Sequence, residues 1–239
     1  MSKKILFLIG KPLGIDAVNF LKSKKNFDIE VWSSENKIIN RKNFNNYFSK
    51  KKFFVNYFKN TNKVYDFVIL VYWPWIIPDF LFDKFKNSVN FHPAFLPFGR
   101  GSYPHVHALL KNFKWGVTLH KIFPGIDDGD IWCQKKIKIE KFSNATELYI
   151  KSSEEIMKLF KKNIIRIING KIKSKKQKGR AITFFKKDLF QYDRLYLKKK
   201  YLLEDLINIS HARSFNDKTF NFFYHKKKKY SFNIIIKKI

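Results

Sequence analysis

The stretch "YDFVILVYW" (65–73) constrains this chain more than any other. A continuous apolar run of strand length has no polar face to turn to water, so it must be covered on both sides. "KILFLI" (4–9) reads the same way, and "FDIEVWSS" (27–34) and "SVNF" (88–91) add further strands. Helical segments alternate with them. "GKPLGIDAVNFLKSKK" is a turn followed by a helix with Ile15, Val18 and Leu21 on one face, and "IPDFLFDKFK" (77–86) suits a short helix. Apolar strands alternating with helices predict an α/β, doubly wound fold: a Rossmann-like, mostly parallel sheet flanked by helices. Only Gly10 and Gly14 follow the first strand, with no G-x-G-x-x-G, so no dinucleotide cofactor is expected. Residues 35–63 are polar and aromatic and carry no assignment.

Residues 105–112 read as helical. "WGVTLHKIF" (115–123) and "IWCQKKIKI" (131–139) read as strands on either side of the tight acidic loop "PGIDDGD" (124–130). The clearest helix follows. Asn144 and Glu147 make a capping box at its start, Leu148, Ile156, Leu159, Phe160, Ile164 and Ile167 form an apolar stripe, and Gly170 stands at the C-terminal cap. The lysine-rich 171–179 reads as a solvated linker or surface loop. A second short helix near 202–209 and two strands (219–224, 230–236) joined by a lysine turn complete the chain. The expected division is a main domain over 1–178 and a small C-terminal α+β subdomain over 179–239 that ends in a β-hairpin. That tail is too short for a robust core of its own and is expected to dock on the main domain or on a partner subunit.

No uncharged apolar run reaches the length of a membrane span. The start, "MSKKILFLIGKPLG", reads as a first strand rather than a leader, which gives an expected cytoplasmic location. With the single cysteine Cys133, no internal disulfide and no cysteine-based zinc site is possible. The net charge of +30 has two readings. One is an anionic partner such as nucleic acid, a membrane surface or a phosphorylated substrate. The other is compositional drift, since Lys, Asn, Ile and Phe are inflated together. Drift accounts for most of the charge, with a few cations left to meet an anionic ligand.

Asn90 and His92 are two apart on an extended segment and therefore point the same way. Asp127 lies in the loop after another strand, and ligands of open α/β sheets bind outside the carboxyl ends of the strands. An amide, an imidazole and a carboxylate with no serine or cysteine nucleophile suit acyl transfer to an external amine. Asn90 and His92 would donate to a tetrahedral oxyanion, and Asp127 would orient His92 or take the proton through a water. Position alone leaves other roles open: a turn cap for Asn90, a loop histidine for His92, an Asx-turn for Asp127. A metal site built from His92, His105, His107 and His120 ranks below both, because no H-E-x-x-H occurs and no metal is expected.

"VNFHPAFLPFGRGSYP" (89–104) and "GVTLHKIFPGIDDGDIWCQ" (116–134) resemble the two motif blocks of the folate-dependent formyltransferases, in the right order and at a fitting separation. The resemblance covers roughly residues 4 to 168. It departs at Ala94, where many members have Ser, and at Phe95, where Leu is usual. It implies the Rossmann-like formyltransferase fold, N10-formyltetrahydrofolate as co-substrate, and Asn90, His92 and Asp127 as the catalytic positions. It also implies a pterin pocket at Pro74, Trp75, Ile77, Pro124 and Ile126. Arg100, Tyr103 and Arg213 are expected to contact the amine substrate.

The tail, with His211-Ala212-Arg213 and Lys229-Tyr230, is similar to the end of the sugar N-formyltransferases. That similarity implies a nucleotide-linked amino sugar as substrate, with dTDP-4-amino-4,6-dideoxyglucose the leading candidate, for surface polysaccharide (O-antigen, lipopolysaccharide) synthesis. It also implies a homodimer through the C-terminal hairpin, with no membrane and no nucleic-acid partner. The alternatives are a methionyl-tRNA formyltransferase and, outside enzymes, a basic RNA-binding protein on an inactivated scaffold.

Overall fold

The computed structural model describes residues 2–35 and 46–237. The chain falls into two compact units, each assembled from three segments. One comprises Met1–His92, Thr118–Gln134 and Ile156–Gln177, and the other Pro93–Val117, Lys135–Glu155 and Lys178–Ile239.

The first unit is built on a seven-stranded sheet. Its elements run β1 (Lys3–Ile9), α1 (Leu13–Lys22), β2 (Phe27–Ser33), β3 (Asn46–Tyr47), α2 (Lys51–Asn60), β4 (Phe67–Val71) and β5 (Ser88–His92). Numbering the strands Phe98–Gly101, Gly116–His120 and Ile131–Lys136 as β6, β7 and β8, the sheet order is β3-β2-β1-β4-β5-β7-β8. The β1–β2, β1–β4, β2–β3 and β4–β5 pairs are parallel, whereas β5–β7 is antiparallel. The two apolar runs behave as expected: Ile5 to Ile9 are fully buried, and every residue of β4 is buried. Leu6 and Leu8 of β1 and Val68 and Leu70 of β4 enter one cluster with Trp32, Phe48, Phe54 and Phe58. There Trp32 stacks on Phe48 at 4.0 Å. From the unassigned 35–63 region, Phe48, just after β3, and Phe54 and Phe58 of α2 supply rings to that cluster, and residues 36–45 lie outside the described residues. The segment 77–86 closes as a single 3-10 turn, Asp79–Leu81, rather than a longer helix; Pro78 precedes it in extended conformation, and Leu81 and Phe85 are buried.

Helix α3 (Pro104–Lys111) belongs to the second unit, and α4 (Ala145–Ile168) contributes to both. The capping box at the start of α4 is present in both directions. Glu147 N–H donates to Asn144 Oδ1 at 3.0 Å, and Asn144 N–H donates to Glu147 Oε2 at 3.1 Å. At the other end Gly170 takes φ +69°, its N–H reaches the Ile167 carbonyl at 3.0 Å, and Lys171 N–H reaches Arg166 at 2.7 Å. These are the two bonds of a Schellman cap. Phe160 packs on Phe20 of α1 and on Phe91 of β5, with centroids 6.0 and 5.0 Å apart.

In the second unit β6 pairs in parallel with β9 (Ile182–Phe184), and α5 (Leu203–Ala212) packs on α3. After it come β10 (Ser214–Phe215), β11 (Lys218–Thr219) and the hairpin β12 (Phe222–His225)–β13 (Lys228–Ser231). The lysine turn is as expected: Lys226 and Lys227 both take positive φ. The second strand is shorter than the sequence suggests. Beyond Ser231 one more backbone bond forms, from Phe232 N–H to the Asn221 carbonyl at 2.9 Å, and the chain is then held through side chains, with Ser210 and Ser214 Oγ donating to Asn233 Oδ1 and Ile234 N–H donating to Ser210 Oγ. Among the described residues no helix is long and apolar enough to cross a membrane.

Candidate active site

Strand β5 places Asn90 and His92 on one side, two residues apart, and the antiparallel register sets Asn90 directly across from His120 at the end of β7. The chain then leaves the sheet through residues 121–130. This loop closes on itself, with Lys121 N–H on the Asp130 carbonyl at 2.8 Å. Gly129 makes the closure possible, since a Cβ there would lie 1.9 Å from the Lys121 carbonyl oxygen. Asp127 sits in the loop with φ +48°, in the left-handed region.

These elements bring four side chains together. Asp127 Oδ2 lies 3.4 Å from His92 Nδ1, and Asp127 Oδ1 lies 3.6 Å from His120 Nε2. The Asn90 amide donates to Asp127 Oδ1 at 3.4 Å and faces His120 Nε2 at 3.1 Å. His120 Nδ1 is 2.7 Å from the Lys121 carbonyl, which can only accept. In neutral His120 the proton therefore sits on Nδ1, and Nε2 accepts from Asn90. His92 is 4% and His120 2% exposed, so the hydrogen bonds are sheltered from water.

His120 is the member that the triad reading missed. The signal was cross-strand register, because Asn90 faces it directly in the β5–β7 pair. His92, His120 and Asp127 each present one donor atom within 4.8 Å of the others, a spacing that a metal ion could use. The Asn90 NH₂ group, however, aims its hydrogens at His120 Nε2 and Asp127 Oδ1, on two of the three residues a cation would use. The arrangement is a hydrogen-bond centre.

Asn90, His120 and Asp127 line a cleft of about 310 Å³. Its other walls are Trp73, Pro74, Trp75 and Ile77 after β4, Phe82, and Ile122, Phe123, Gly125 and Ile126 of the loop. Of the residues expected at a pterin pocket, Pro74, Trp75, Ile77 and Ile126 line this cleft. Pro124 does not: it is exposed and outside the wall, because the loop turns at Gly125 (φ +106°) and puts Phe123 and Gly125 on the cleft instead. His92 is not a wall residue either and contacts the cleft through Asp127.

The three residues expected to meet the substrate all lie in the second unit. Arg100 is half-buried in β6, paired with Thr183 in register. Tyr103 is 44% exposed at the entry to α3, with φ +53°. Arg213 is buried, bonded through Nε to Asp193 Oδ1 at 2.5 Å, with its guanidinium 4.6 Å over the Phe220 ring. That ion pair and stacking commit Arg213 to the interior of its own unit. Burial pushes the Cys133 thiol up to about 12, so it stays protonated and is no nucleophile.

A curated relative from Mycobacterium tuberculosis (strain H37Rv), dTDP-4-amino-4,6-dideoxyglucose formyltransferase, is 28% identical over 153 residues. The match spans 64% of this chain and 65% of that relative's length. The fold is similar to that of a 4-N formyltransferase from Francisella tularensis, with a TM-score of 0.89 at 21% identity over 99% of both chains. A formyltransferase from Anoxybacillus kamchatkensis, solved with UDP-4,6-dideoxy-4-formamido-L-AltNAc and tetrahydrofolate, is 25% identical at a TM-score of 0.59. That alignment covers 79% of this chain and 89% of the other. The family model for formyl transferases matches residues 22–164, well over half the sequence. Since that stretch holds β5, β7 and the loop of Asp127, the cluster and the family match rest on the same residues, and the chain belongs to the formyl transferase family.

Proposed function

We propose that this chain transfers a formyl group from N10-formyltetrahydrofolate to the amino group of a nucleotide-linked amino sugar, with dTDP-4-amino-4,6-dideoxyglucose as the leading acceptor. The observation that carries the reading is the convergence of Asn90, His92, His120 and Asp127 at the wall of an aromatic-lined cleft. Flat rings (Trp73, Trp75, Phe82, Phe123) beside exposed loop backbone suit a planar heteroaromatic with several hydrogen-bonding edges, such as a pterin. The curated M. tuberculosis relative and the folate and UDP-sugar named for the A. kamchatkensis structure support the choice of donor and acceptor class.

The chemistry follows from the groups present. The neutral amine attacks the formyl carbon, forming a C–N bond and a tetrahedral oxyanion. Asn90 has two amide hydrogens. The longer of its two contacts, 3.4 Å to Asp127, is the easier to exchange for the oxyanion, while His120 keeps the amide turned inward. His92, whose Nδ1 lies 3.4 Å from the Asp127 carboxylate, is the second donor and helps to shuttle the amine's proton. The bond to N10 then breaks. N10 gains a proton as the amine loses one, so protons balance and no covalent enzyme intermediate is required.

Both proposed substrates are anionic metabolites, which supports a cytoplasmic location for the reaction. The formamido sugar formed would enter surface polysaccharide, including O-antigen. Exposed Tyr224 and Tyr230 on the hairpin, with Ile235 76% exposed just beyond it, support a homodimer contact there. The test is incubation with N10-formyltetrahydrofolate and a panel of dTDP- and UDP-linked 3-amino and 4-amino deoxyhexoses, read by mass spectrometry. One panel member should gain one formyl group. Formylated methionyl-tRNA with no formylated sugar would overturn the assignment.

A further inference from the structure

The lysine-rich segment 171–179 has nothing in its composition to suggest a task beyond solubility. It nevertheless straps the loop that carries Asp127. Ile131 and Lys175 form an antiparallel bridge, with N–H to carbonyl distances of 2.7 and 2.8 Å in the two directions. Ser174 Oγ donates to Asp130 Oδ2 at 3.2 Å. Gln177 completes the attachment. Its Nε2 donates to the Asp127 carbonyl at 2.8 Å and to the Gly129 carbonyl at 2.9 Å.

One side-chain amide thus satisfies two loop carbonyls two residues apart, from a position 50 residues further along the chain. Immediately before the first of those carbonyls the backbone makes the left-handed turn at Asp127, a conformation that aspartate tolerates better than most side chains but still holds at a cost. The carboxylate of Asp127 is a single rotatable bond from Cβ. Any relaxation of φ swings it away from His92 Nδ1 and Asn90 Nδ2, each of which it meets at 3.4 Å.

We propose that Gln177 is a positioning residue for formyl transfer: by fixing the carbonyls of Asp127 and Gly129 it sets the turn at Asp127, and through that turn the reach of the carboxylate to His92. The proposal rests on the reading of the site given above. Gln177 is not itself among the residues that line the cleft and meets Asp127 only at the backbone carbonyl in the bonds described above, so its effect should fall on the chemical step and not on binding.

The test compares Gln177→Leu, which removes both donors at similar volume, Gln177→Glu, which aims a carboxylate at two carbonyl oxygens, and Gln177→Asn, which keeps the donors on a shorter stem. For the Leu and Glu variants kcat should fall about 30- to 100-fold, with KM for both substrates within about twofold of wild type. The Asn variant should recover part of the loss. Retention of kcat within twofold in the Leu and Glu variants, or a rise in KM matching the fall in kcat, would overturn the proposal. Crystal structures of wild type and Gln177→Leu give a readout independent of turnover. Asp127 should leave the left-handed region and its separation from His92 should grow; an unchanged turn overturns the clamp. Should the wild-type protein formylate no member of the panel, the assigned reaction fails while the crystallographic comparison still decides the role of Gln177.

Discussion

Acid should loosen this protein through two histidines that lie away from the candidate chemistry. His105 and His107 are two apart in α3, yet both are buried, 7% and 0% exposed. Burial pushes each imidazole down to about 4. For His105 the neighbouring His107 adds to the effect. For His107 the carboxylate of Asp188 and the nearby Phe185 backbone oppose it, while Lys111 and Arg213 reinforce it. Among the described residues neither ring nitrogen of His107 has a partner at hydrogen-bonding geometry, and the ring lies flat on Phe184 at 4.0 Å. The folded pKa is thus depressed from an unfolded value of about 6.5. The unfolded chain binds the proton first, so the stability contributed by the neutral rings is complete above about pH 6.5 and is lost as pH falls toward 4. Between pH 7 and pH 5 the loss amounts to about 2 kcal/mol for each imidazole. Urea unfolding followed by circular dichroism at several pH values measures it. His107→Phe keeps a ring against Phe184 and removes the titration, so it should abolish about 2 kcal/mol of the acid loss while leaving pH 7 stability unchanged or higher. Parallel pH dependence in wild type and variant would refute the reasoning, because it would mean that His107 is protonated as readily folded as unfolded.

Other perturbations have equally definite outcomes. Asp127→Asn retains the shape of the loop residue and deletes the charge facing His92, and kcat for formyl transfer should fall by roughly 10²- to 10⁴-fold with an unaltered circular dichroism spectrum. Arg213→Leu leaves the Asp193 carboxylate, 18% exposed, without its cation; denaturant titration should register a loss of about 3 kcal/mol or more. Asn144→Ala deletes one arm of the capping box on α4 and should lower the unfolding free energy by about 1 kcal/mol in the same assay.

What the sequence made legible are features confined to a single element. A period of two put Asn90 and His92 on one side of a strand, an i, i+3 pair marked the start of α4, and an uninterrupted apolar run identified β4 as a two-sided strand. What it hid are features that depend on how elements meet. The tail illustrates this. Residues 232–236 have strand-like composition, yet Ser210 and Ser214 capture Asn233 and the ladder stops at Ser231. Arg213 illustrates it from the side of charge. In a chain with 49 Lys and Arg against 19 Asp and Glu, nothing local separates the cation that finds an acid inside the fold from the many that face water.

The same excess makes the acids more informative than the bases. Carboxylates are scarce here, yet Asp127, Asp128 and Asp130 crowd into one seven-residue loop, and each is committed differently. Asp127 turns to His92 and His120, Asp130 pairs with Lys121 and accepts from Ser174, and Asp128 lies on the cleft wall. Where the cost of a carboxylate among cations is only compositional, position need not matter. Where three are held by a left-handed turn, a glycine that tolerates no Cβ and a glutamine strap, the loop is shaped for the placement of one of them. His120 belongs to the same logic. A one-residue slip of β7 would turn it to the opposite face of the sheet and leave the Asn90 amide without the nearer of its two acceptors. The register of one antiparallel pair and the closure of one loop, neither visible in the spacing of any motif, together decide whether an amide, two imidazoles and a carboxylate meet.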